Sequence, residues 1–176
     1  VSSAVSGAVS SAEDAGHRGP GRWFTSWAQS QQSLSGRTLD DQSVRMITHL
    51  SQGGSALRIR VQNTFATTPL AVDAATVAPA GEGAALAGPA HAVTFGGRPS
   101  IVVPAGGEVW SDAVTLATSA QDDVAVSLFV PGQVRPGQHT SAFRQNYLSP
   151  AGSGDHTGDG AATAFTETVE STYLVS

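Results

Sequence analysis

The chain holds many serines and five histidines, so acyl transfer is the first chemistry to test. A serine nucleophile on a strand-to-helix elbow needs glycine two residues before and two after, where a side chain would clash. No serine here has both. Gly53-Gly54-Ser55 places a serine after two glycines, but its composition reads as a turn between strands. The histidines, His17, His49, His91, His139 and His156, lack metal-ligand spacing. His139 and His156 alone stand near carboxylates or arginine in loop-like sequence. Asp155 and Asp159-Gly160 carry oxygen ligands that calcium accepts, though without the spacing of a named calcium loop; an Asx-turn is the better reading of them.

Two further groups suit binding rather than bond-breaking. Trp23, Trp27 and Trp110 could stack against sugar rings, or fill a core or an interface. Arg144-Gln145-Asn146-Tyr147 concentrates hydrogen-bonding side chains beside a loop. With His139, it defines one candidate ligand or domain-interface segment. The polar stretch Asn63–Thr68, with Asn63 and Phe65, defines a second.

Composition narrows the choices. The nine basic residues are all arginines, which removes every lysine-dependent chemistry, from the P-loop to the Schiff base. The absence of cysteine removes disulfides, thiolate nucleophiles and Cys-ligated zinc. A net charge of -5 argues against nucleic acid or anionic lipid as partner. No run approaches the apolar length of a membrane-spanning helix. Nothing in the motifs implies a metal or a cofactor. The first residue is Val1 rather than Met, which suggests a processed or excised polypeptide.

The elements that must position these residues read as strands. Val1–Gly21 is low-complexity Ser/Ala/Gly and is expected to be a flexible tail, with an ordered domain over 22–176. Leu57, Ile59 and Val61 alternate with Arg58, Arg60 and Gln62, the period of a half-buried strand. Leu70–Ala78 is expected to return beside it, and Ser43–Leu50 to precede it in a hairpin through Gln52–Ser55. Arg22–Trp27 reads as a strand with Trp23 and Trp27 on one face, and Gln29–Gln42 as a long loop. Asp123–Pro131 is the other clear strand, with Val124, Val126, Leu128 and Val130 inward. Thr163–Val175 is expected to close the chain as a last strand. About ten short strands with Gly/Pro punctuation give an all-β, jelly-roll-like antiparallel sandwich.

The succession RWFTSWAQS, SVRMITHLSQGGSALRIRVQNTF, VTFGGRPSIVVPAGGEVWSDAVTL, DVAVSLFVP and HTSAFRQNYLSPAGSGDHTGD resembles secreted actinobacterial GDSL/SGNH hydrolases. The likeness is to the β-sandwich before their catalytic domain and runs from about Arg22 to Val175. It implies a secreted, extracellular protein whose partner is an SGNH catalytic domain acting on esters, lipids or acetylated glycans. The family's Gly-Asp-Ser block, its oxyanion-hole Gly and Asn, and its Asp-x-x-His pair have no counterpart here, so no catalytic residue carries over. The resemblance places the catalytic domain beyond Ser176, on a second polypeptide or outside this chain. It implies a non-catalytic module packed on that domain and shaping its substrate cleft. A carbohydrate-binding module, or a structural or chaperone-like domain, are the rival readings.

Overall fold

Both alternations of side chains are buried over Gln42–Thr48, polar residues included, and again over Val124–Leu128. A strand covered on both faces belongs in the middle of a sheet. The computed structural model describes residues 9–13 and 22–176 and puts these two strands side by side.

In chain order the strands are β1 (Val9–Glu13), β2 (Arg22–Trp27), β3 (Ser33–Leu34), β4 (Leu39–His49) and β5 (Gly54–Gln62). Then come β6 (Leu70–Val72), β7 (Ala74–Pro79), β8 (His91–Ala92), β9 (Ile101–Val103), β10 (Glu108–Trp110) and β11 (Val114–Thr118). The last are β12 (Asp123–Val134), β13 (Gly137–His139), β14 (Asn146–Leu148), β15 (Glu167–Val169) and β16 (Thr172–Tyr173). There is no helix among the described residues.

A six-stranded antiparallel sheet runs β15-β14-β4-β12-β7-β8. A second runs β10-β5-β1-β2, with β11 also paired to β5. Small sheets β16-β13-β3 and β6-β9 close the ends. Leu57, Ile59 and Val61 of β5 join Val44 and Met46 of β4 and Val124, Val126 and Leu128 of β12 in one buried cluster. The fold is therefore all-β and sandwich-like, with its core between the two main sheets.

The pairing differs from the local reading at several points. β4 and β5 do not form a hairpin; they lie in different sheets. Leu50–Gly53 crosses from one sheet to the other, and Leu50 N–H donates to the Asp122 carbonyl on the way. Nor does Leu70–Ala78 return beside β5. Its first half pairs with β9 and its second with β12 and β8. Trp23 and Trp27 lie on opposite faces, because an extra residue between Thr25 and Trp27 in the β1–β2 register reverses the alternation. That residue, Ser26, is buried, and its hydroxyl donates to the Gln52 carbonyl. Inside the stretch expected to be a tail, Val9–Glu13 forms β1 between β2 and β5, where backbone pairing orders a segment too polar to order itself. The remainder of that stretch lies outside the described residues. The Gln29–Gln42 loop contains β3 and the start of β4, and the expected final strand is split into β15 and β16. β12 passes Pro131 through a bulge and continues to Val134.

The outer face of the β4–β12 pair is covered as well. Arg45 is fully buried there, stacked 4.2 Å from the Phe165 ring centroid. Its Nε donates to Ser127 Oγ (2.8 Å) and its Nη1 to the Ala84 carbonyl (2.6 Å). Nη2 reaches the carbonyls of His156 and Thr157 at 3.4 and 3.3 Å. One side chain thus holds two loops against the sheet. Burial pushes its guanidinium down to about 10, against the opposing pull of Asp159.

Candidate functional site

The residues flagged by sequence separate into buried brackets and a surface cluster. Asn63 and Asn146 are buried, which takes both out of a surface role. Asn63 Nδ2 donates to the Thr68, Val103 and Pro104 carbonyls and shapes the loop after β5. Asn146 Oδ1 accepts from Ile47 N–H, and its Nδ2 donates to the Ser171 carbonyl, fastening β14 to β4 and the last turn. Phe65 is 44% exposed on the loop that Asn63 braces. His139 Nδ1 lies 2.8 Å from the Ser30 carbonyl at the edge of β13, apart from the cluster below. Asp155 Oδ1 accepts from Thr157 N–H and Oγ1, an Asx-turn. Among the described residues no group of three or more His, Cys, Asp or Glu could hold a metal ion.

Arg144, Gln145 and Tyr147 do come together, around a residue that sequence reasoning passed over. Phe143 is 96% exposed, and its backbone has φ 56°, with Ser141 at φ 57° two residues before it. A left-handed backbone at a bulky residue costs about 1–2 kcal/mol, so the surrounding contacts must hold it. Arg144 supplies one: its Nη2 donates to Asp123 Oδ1 at 2.8 Å. Gln29 supplies a second, its Nε2 reaching the Ala142 carbonyl at 3.4 Å, and Ala142 N–H donates to the Glu170 carbonyl. The ring thereby stands as a ridge between two open clefts. One, of about 370 Å³, is lined by Ser141, Phe143, Arg144, Gln145 and Glu170. The other, of about 420 Å³, shares Phe143, Arg144 and Gln145 and is lined besides by Ile47, Gly81, Asp123 and Tyr147. The only sequence signal for Phe143 was its place immediately before the Arg-Gln-Asn-Tyr patch.

His49 completes the cluster from the end of β4. Its Nδ1 is 2.7 Å from Asp123 Oδ1 and 3.1 Å from Arg144 Nη2, and its Nε2 is 2.9 Å from Gln121 Oε1. Oxygen acceptors at both ring nitrogens favour the imidazolium. The Asp123 and Gln121 hydrogen bonds therefore raise its pKa, and Arg144 opposes them. The arrangement is an anchored polar surface rather than a nucleophile–base pair. The rings of His49, His139 and His156 meet carboxylate, amide or carbonyl oxygens rather than serine hydroxyls.

The tryptophans do not form a common platform. Trp27 packs against the core. Trp23 and Trp110 clasp Arg58, whose guanidinium carbon lies 4.8 and 4.5 Å from their ring centroids.

The fold and this surface define an all-β, sandwich-like domain with an aromatic ridge braced by ion pairs. No protein-family model matches the chain, and no curated protein does.

Proposed function

We propose that this chain is the non-catalytic N-terminal sandwich of a secreted GDSL/SGNH-type serine esterase or lipase. In this reading the Phe143 face docks on the catalytic domain and forms one wall of its substrate cleft. The observation that carries the docking role is the Phe143 ring, fully in solvent on a backbone that costs energy to hold. Aromatic and arginine side chains contribute most to protein interfaces, and Phe143-Arg144 supplies both at one point. Arg144 is already fixed by Asp123, so little side-chain entropy remains to be lost on association. The hydrolase assignment itself rests on the sequence resemblance.

The test uses the precursor containing both this chain and the catalytic domain, assayed with p-nitrophenyl esters. Phe143→Ala and Arg144→Ala should raise KM or lower the melting temperature of the two-part enzyme by several degrees. Unchanged kinetics and melting in both variants would remove the docking face. A precursor with no Gly-Asp-Ser domain and no esterase activity would remove the family assignment.

A further inference from the structure

The clasp around Arg58 follows from sheet order. β10 and β2 lie on opposite sides of β5, so Trp110 and Trp23 approach Arg58 from opposite directions. Trp23 reaches across β1, roughly 10 Å of sheet at the usual strand spacing. Two indoles thus flank one planar cation, at 4.8 and 4.5 Å from its central carbon.

The edge of that cation is unused. Among the described residues, none accepts a hydrogen bond from the Arg58 guanidinium, and its Nε is buried without a partner. Burial lowers its pKa. Its neighbour on the same face, Arg60, differs. Arg60 lies 3.5 Å from Glu108 and donates to Ser176 Oγ at 3.1 Å, while also facing Trp110 at 5.5 Å. Glu108 thus balances Arg60, whereas among the described residues no carboxylate pairs with Arg58.

A stacked guanidinium presents parallel N–H donors in its own plane, the geometry that grips a carboxylate with two bonds. Indole walls lower the local dielectric and strengthen those bonds. We propose that the Trp23–Arg58–Trp110 clasp is a binding site for a carboxylate-bearing small molecule, held by the edge of the guanidinium. The site lies on the β5 sheet, independent of the Phe143 face and of the hydrolase assignment.

The test follows the indole N–H resonances of the 15N-labelled 176-residue chain during titration with sodium galacturonate, sodium acetate, sodium sulfate and neutral galactose. Both carboxylates should shift the Trp23 and Trp110 signals saturably in the millimolar range. Galactose should not, and the core residue Trp27 should stay unmoved. Arg58→Met should abolish the shifts, and Arg58→Lys, which keeps the charge without the fork, should weaken them at least tenfold. Absence of saturable shifts with both carboxylates would overturn the site, and that result needs only the wild-type chain. Equal shifts in Arg58→Met would also overturn it, and tighter binding of sulfate would overturn the carboxylate assignment.

Discussion

At the scale of single residues, two charged groups hold backbone that the sheets alone leave loose. Asp112 accepts hydrogen bonds from Gly96 N–H at 3.1 Å, Gly97 N–H at 2.7 Å and Thr94 Oγ1 at 2.7 Å. Gly96 and Gly97 have φ of 60° and 79°, the left-handed region where glycine is at home. The Asp112 carboxylate thus caps the Gly96-Gly97 turn. Those donors, Gly97 N–H first, depress the Asp112 pKa below its ordinary value. A carboxylate depressed in the folded state stabilises above its unfolded pKa and loses that contribution as pH falls through the folded one. Asp112→Asn should therefore be less stable than wild type at neutral pH. The gap should close below about pH 4 in urea melts across the acid range. A gap independent of pH would refute the cap. Arg45 acts differently, as a buried cation among carbonyls. Arg45→Met keeps most of the volume but leaves the Ala84 carbonyl without its donor and frees two loops. A loss of about 2 kcal/mol is expected in denaturant melts. A Met variant as stable as wild type would show that desolvation of the charge outweighs its hydrogen bonds.

At the scale of elements, the crossing between the two main sheets leaves no room for a side chain at Gly53. A Cβ on Gly53 would overlap the Thr118 carbonyl and the Ser119 Cα, both backbone atoms that cannot turn aside. Gly53→Ala should cost about 1–3 kcal/mol by forcing β5 and β11 apart, read as a lower unfolding midpoint. An unchanged midpoint would mean that the crossing yields without cost. The same crossing shows why the hairpin reading of Gln52–Ser55 fails. Turn residues record that the chain reverses locally, not which sheet it enters next. β4 is covered on both faces and takes β12 and β14 as neighbours, so β5 is left to nucleate the opposite layer.

At the scale of the whole molecule, the Phe143 ridge and the Arg58 clasp occupy different surfaces, and neither supports the core. Phe143→Ala in the isolated chain should leave the melting temperature within about a degree of wild type, because a solvated ring contributes little to folding. A fall of several degrees would make the ring a structural contact rather than a docking one. Much of this molecule was legible in the sequence. Alternation of Leu57, Ile59 and Val61, and of Val124, Val126 and Leu128, determined the two core faces and the all-β class, because side-chain period is a local property. The Arg144-Gln145-Tyr147 patch was legible for the same reason, as polar side chains adjacent in the chain. What only the tertiary structure decided was partnership. Asn63 and Asn146 turned inward because buried backbone groups needed their amides. A single extra residue in β2 sent Trp27 to the core and Trp23 to Arg58. Strand pairing is a contest among distant segments, and its outcome depends on which faces are already covered.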